Sequence, residues 1–135
     1  MAREILFRAK RLDNGEWVEG DLAHSVYKIG DTCIGKYGDS VGMHQIDTET
    51  ICQYTGLVDN DCNKIWENDI IGFEDIISYD NGYTEHYCRG KVVWDEETAS
   101  FQVTERLSCE SYEALMECDV IGNIFDNPEL LDVLS

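Results

Sequence analysis

A chain of 135 residues with 43% hydrophobic and 10% aromatic residues has the make-up of an ordinary folded domain and can bury a real core. Ten Lys and Arg against 28 Asp and Glu leave a net charge of −18, a field that repels nucleic acid and anionic membranes and attracts cations or basic surfaces. No apolar run approaches membrane-spanning length and Met1-Ala2-Arg3-Glu4 lacks the apolar core of a signal peptide, so a cytoplasmic chain with reduced thiols is expected.

In chain order, Arg3 to Lys10 alternates, with Ile5, Phe7 and Ala9 on one face of a half-buried strand. Asp13-Asn14-Gly15 marks a hairpin turn, because Asn and Gly tolerate positive φ, and a return strand runs from Trp17 to about Gly20-Asp21. Val26–Ile29 and Thr32–Ile34 are candidates for two short strands, and Tyr37–Thr48 reads as loop. The central stretch, residues 51–71, reads as a strand, a polar turn at Asp59-Asn60-Asp61 and a second buried strand. Glu74 to Arg89 has a weak pattern with a turn at Asn81-Gly82, and Lys91–Trp94 pairs with Ala99–Val103 across the loop Asp95–Thr98. Ser108–Cys118 is a helix candidate with Tyr112, Leu115 and Met116 on its apolar face. Val120–Phe125 returns to strand, and Asn127-Pro128-Glu129 starts a second helix carrying Leu130, Leu131 and Leu134. The sum is a single, mainly β domain over residues 1–135, an antiparallel closed or half-closed sheet with extra hairpins and two short helices in the C-terminal third.

The constellations that could carry chemistry fail one by one. Asp59, Asp61 and Asn63 stand at calcium-loop positions one, three and five, but Lys64 occupies the required glycine and Ile70 the required bidentate acid. His86-x-Cys88, with Cys52 and Cys62 as further thiols, supplies at most one short-spaced pair where structural zinc needs two. No nucleophile elbow, cysteine-enzyme signature or glycine-rich phosphate loop is present, and Asp95-Glu96-Glu97 falls in a solvated turn. No residue is therefore assigned a catalytic, cofactor or metal role, and a non-enzymatic protein is expected. Arg3, Arg8, Lys10 and Arg11 give residues 1–11 a charge of +3, with Phe7 and Trp17 as stacking groups. The remaining chain carries −21, so direct nucleic-acid binding is not expected.

Three motifs carry a family resemblance. Arg3-Glu4-Ile5-Leu6-Phe7-Arg8-Ala9 comes first. Gln53-Tyr54-Thr55-Gly56-Leu57-x-Asp59 with Ile65-Trp66-Glu67-x-Asp69-Ile70-Ile71 forms the centre, and Val120–Leu131 closes the chain. In this order they resemble the YopX-like phage proteins. The resemblance implies a small protein of phages and prophages of Gram-positive bacteria, mainly β, with a barrel of the Src-homology-3 type and no established activity, cofactor or catalytic residue. Two positions depart from the family's glycines, Cys62 and Asn68. Asn accommodates a left-handed backbone, whereas Cys there would be strained, so a different turn is expected at 62. The function expected is an accessory role through protein binding. A basic surface on the partner or a homo-oligomer are the forms open to it. The alternative is an acidic nucleic-acid mimic that inhibits a host DNA- or RNA-binding defence protein.

Overall fold

A computed structural model describes residues 5–24, 32–35, 44–106 and 109–132, and the chain forms two compact units, Met1–Gly56 and Leu57–Ser135. The fold is mainly β, with two antiparallel sheets and two short helices. The sheet orders are compatible with the barrel implied by the family resemblance, without themselves closing one among the described residues.

In the first unit, β1 (Phe7–Lys10), β2 (Trp17–His24), β3 (Thr32–Gly35), β4 (His44–Gln45) and β5 (Cys52–Val58) follow the spatial order β4-β3-β2-β1-β5. The expected first hairpin forms: Ala9 pairs with Val18 and Lys10 with Trp17, and Gly15 turns the chain at φ +73°. The Asn14 side chain accepts from the Glu16 N–H at 2.9 Å and fixes that turn. Strand β2 runs on past Asp21 to His24 because β3 supplies a ladder for it, Asp21 opposite Gly35 through His24 opposite Thr32. Phe7 and Val18 pack on a cluster of Ala9, Ile34 and Ile46, whereas Ile5 precedes the strand and is exposed. The expected loop Tyr37–Thr48 contains β4 and the buried Ile46, which bridges Arg11. Residues 36–43 and the candidate strand Val26–Ile29 lie outside the described residues.

The second unit holds β6 (Lys64–Trp66), β7 (Asp69–Tyr79), β8 (Gly82–Asp95), β9 (Ser100–Val103), α1 (Ser111–Met116), β10 (Cys118–Asn123) and α2 (Glu129–Asp132). Its four-stranded sheet has the order β10-β7-β8-β9. The second strand of the central stretch is not continuous. Glu67 and Asn68 break it, with Asn68 at φ +71°, as its left-handed tolerance allows. The Trp66 N–H donates to the Asp69 carboxylate at 2.8 Å and the Asn68 N–H to the Val92 carbonyl at 2.8 Å, so the break is a built turn. Cys62 also adopts the left-handed region, φ +66°, rather than avoiding it. Its side chain is exposed, so nothing in the core opposes a glycine there. Replacing Cys62 by Gly is therefore expected to raise stability by about 0.5–1 kcal/mol, the left-handed strain relieved less the extra backbone entropy of glycine. Urea melts of the two proteins would measure it, and a destabilised variant would contradict the strained turn.

Glu74 to Arg89, weakly patterned in sequence, forms the arms of the long β7–β8 hairpin, paired from Ile70 opposite Lys91 to Tyr79 opposite Gly82. Its outer half has little buried surface: Ile76, Tyr79, Tyr83 and Tyr87 are all exposed, so no alternation marks it. The β8–β9 hairpin forms as expected, with Val92 opposite Val103, Asp95 opposite Ser100, and Trp94 edge-on to Phe101 at 5.0 Å. The unit's core gathers Ile65, Ile71, Phe73, Val92, Leu115 and Cys118, among others.

Helix α1 is shorter than Ser108–Cys118 and buries a different face. Ser111, Ala114 and Leu115 turn inward, while Tyr112 and Met116 stand 67% and 68% exposed. Ala114 and Leu115 join the unit's core, and the Val103 N–H donates to the Ser111 hydroxyl at 3.0 Å, so that stripe faces the sheet. Strand β10 covers Cys118–Asn123 rather than Val120–Phe125. Helix α2 follows Asn127-Pro128 as expected, with Leu130 and Leu131 half-buried; Leu134 lies outside the described residues.

Candidate functional site

The residues singled out in the sequence are held in structural roles. Asp59 is buried, and its carboxylate accepts from the N–H groups of Asp61 (2.9 Å), Asn63 (2.8 Å) and Val120 (2.9 Å) and from the Asn63 side chain (3.3 Å). Strand β10 is an edge strand of its sheet, and on its open side the Val120 N–H donates to Asp59 while the Cys118 carbonyl accepts from the Asn60 N–H at 2.9 Å. Burial pushes the Asp59 carboxyl up, but the hydrogen bonds from Val120, Asn63 and Asp61 outweigh it and hold the group below the usual carboxylate range. This carboxylate is a turn-builder tying β10 to the loop before β6.

Among the described residues no group of three or more His, Cys, Asp or Glu is placed to hold a metal ion. Cys52 is buried and donates to the Thr50 carbonyl at 3.3 Å, Cys62 is exposed, and Cys88 lies two residues from His86 along β8 with its thiol 3.9 Å from the His86 carbonyl. Cys88, Cys109 and Cys118 are also poor nucleophiles. Burial first, then the hydrogen bond to Asp75, pushes Cys109 up to about 11. Burial, then the charge of Asp59, pushes Cys118 up to about 12, and burial raises Cys88. Asp75, buried among them, accepts the N–H groups of Ile76 (2.8 Å) and Cys109 (3.0 Å).

The described cations of the basic N-terminal stretch are engaged within the first unit. The Arg8 guanidinium lies 4.5 Å and the Lys10 ammonium 5.5 Å from the Trp17 ring centroid, while Arg11 forms a 2.6 Å ion pair with Asp13. Trp17, offered by the sequence as a base-stacking platform, is covered by these cations, and Phe7 belongs to the core. Arg3 lies outside the described residues.

What the second unit presents instead is a groove of about 780 Å³ bounded by the β7–β8 hairpin, the outer face of α1 and the start of β10. Six carboxylates line it: Glu74, Asp75, Glu85, Glu113, Glu117 and Asp119. Its apolar wall is Ile76, Tyr87, Tyr112 and Met116, all between 47% and 68% exposed. Tyr112 and Met116 reach the same side because they are four residues apart on α1. Tyr87 lies over Gly72, where a Cβ would collide with the phenol ring, so the glycine makes room for the aromatic. Burial, then the negative charge of Asp119, raises the Tyr87 phenol above its ordinary value, and nearby Arg89 only partly opposes this. Among the described residues no ion pair engages Glu74, Glu85 or Glu117. The groove is concave, electronegative and partly aromatic.

The profile of the family described as YopX protein matches residues 6–132, nearly the whole chain. The chain belongs to the YopX family. No curated protein matches it. A crystal structure of protein EF1440 from Enterococcus faecalis superposes with a TM-score of 0.58 at 22% sequence identity, covering 96% of this chain and 99% of that one, a likeness of fold. In this YopX chain the central motif, which carries the family signature, serves turns and core. The groove is built from residues outside the 51–71 stretch, except for Asn60 in its polar turn. Sequence reasoning missed the groove because Tyr112 and Met116 were assigned to a buried helix face and 74–89 had no pattern. The available signal was the run of Tyr79, Tyr83 and Tyr87 in a stretch without apolar alternation. No helix among the described residues is long and apolar enough to cross a membrane.

Proposed function

We propose that this YopX protein is a phage or prophage accessory protein of the host cytoplasm that acts by binding another protein, without catalysis, and that its partner offers a basic surface. The observation that carries the reading is the groove of the second unit, where Glu74, Glu85 and Glu117, free of ion pairs among the described residues, adjoin exposed aromatic and methionine side chains. Acidic residues whose only role is solubility do not need aromatic rings beside them. Thiols raised well above neutrality at Cys109 and Cys118 favour a non-enzymatic role. Nucleic-acid mimicry would call for carboxylates along a convex ridge, and a concave arrangement favours the binding of a protein segment. Affinity capture from host cytosol at low and high salt tests the proposal. The expected result is a basic protein retained at about 50 mM salt and largely released at about 500 mM, as screened charge pairs require. Partners that are acidic or indifferent to salt would overturn it.

A further inference from the structure

We propose that the groove takes an extended, arginine-bearing segment of the partner, guanidinium groups lying on the rings of Tyr87 and Tyr112 and pairing with Glu74, Glu85 and Glu117. This rests on the protein-binding reading and narrows it to one surface and one side-chain chemistry. Three observations converge. The apolar wall is aromatic and sulfur-bearing, and Tyr112 and Met116 remain mostly exposed on a helix whose other face is fully used by the core. The carboxylates beside it have no cation paired to them at Glu74, Glu85 or Glu117 among the described residues, so charge complementarity selects a cationic occupant. Walls that are about half or more exposed cover one side of a ligand, which suits a chain segment continuing beyond the groove better than an enclosed small molecule.

Arginine fits better than lysine for a geometric reason. Its planar guanidinium stacks on a ring face while its edge donates to carboxylates, whereas an ammonium is a compact, strongly hydrated point charge. The same protein shows the stacking chemistry in its first unit, where Arg8 lies closer to the Trp17 ring than Lys10 does.

Fluorescence anisotropy with a labelled nonapeptide of alternating Arg and Ala tests the inference, with Lys-Ala and Glu-Ala counterparts and with spermidine as competitor. The Arg peptide is expected to bind about threefold or more tighter than the Lys peptide, and the Glu peptide not at all. Tyr112→Ala and Glu117→Lys, both at exposed positions, are expected to weaken binding about fivefold or more. Glu96→Lys, an equal charge change in the exposed β8–β9 loop, should move it less than about twofold. Circular dichroism and urea melts confirm that the variants fold. Equal effects of Glu96→Lys and Glu117→Lys, no effect of Tyr112→Ala, or equally tight spermidine binding would each overturn the groove assignment. Salt-sensitive capture of a basic partner that survives Tyr112→Ala and Glu117→Lys would do so while leaving the protein-binding reading standing. Absence of any basic partner would remove that reading itself.

Discussion

Replacing Asp59 by Ala is expected to lower the stability of the protein by about 3 kcal/mol, because three backbone N–H groups lose a charged acceptor at once. The loss should be larger than for an ordinary turn residue, since Val120 donates from the open side of edge strand β10, where no neighbouring strand offers its N–H a carbonyl. Asp59→Asn keeps one oxygen for Asp61 and Asn63 but turns an amide toward the Val120 N–H, so about half the loss is expected. Urea denaturation followed by tryptophan fluorescence measures both.

The same carboxylate gives a signed pH dependence. Its folded value lies below its unfolded one, despite burial, because the hydrogen bonds from Val120, Asn63 and Asp61 favour the charged form. Its contribution is therefore fully present above the unfolded value, about pH 4, and is lost as pH falls through the lower folded value. The stability difference between wild type and Asp59→Asn should shrink below about pH 4 and be constant above about pH 5. A difference that grows on acidification would contradict the arrangement. Other carboxylates titrate in the same range, so the difference between the two proteins is the informative quantity.

Gly90→Ala is expected to cost about 2–3 kcal/mol. Gly90 is buried in β8, and a Cβ there would press on the Thr104 backbone carbonyl and stand 2.8 Å from Val103 Cγ1. Neither can withdraw. Thr104 is tied to Lys91 by its N–H (3.0 Å) and its hydroxyl (2.9 Å), and Val103 is a core residue held also by Ser111. The clash would push β9 from β8 and disturb the bond from the Val103 N–H to Ser111 of α1. Peptide binding should fall together with stability in this variant, whereas Tyr112→Ala should separate the two. A thermal melt of Gly90→Ala indistinguishable from wild type would show that β9 moves freely.

Much of the fold was legible because its cues are local. The turn at Asn14-Gly15 needs positive φ, and that requirement is written in two residues. The Lys91–Val103 hairpin alternates buried and solvent-facing positions around a polar loop, so pairing and register follow. The long β7–β8 hairpin was not legible, because its outer half is exposed on both faces and a strand without a core leaves no period. The extension of β2 was not legible either, since it depends on the ladder that β3 provides.

The central stretch shows the same division. By itself the sequence determined that residues 51–71 contain strands about a polar turn, that Lys64 and Ile70 rule out a calcium loop, and that the chain has YopX character and an excess of acid. These follow from residue identity and short spacing, where local sterics and charge act. Only the tertiary structure decided that Asp59 serves Val120, sixty-one residues away, and that Cys62 accepts a glycine-like backbone. It also decided which face α1 turns outward. A six-residue helix with apolar side chains on both sides has no preferred face until Ala114 and Leu115 meet the core and Ser111 the Val103 N–H, and those contacts leave Tyr112 and Met116 on the groove.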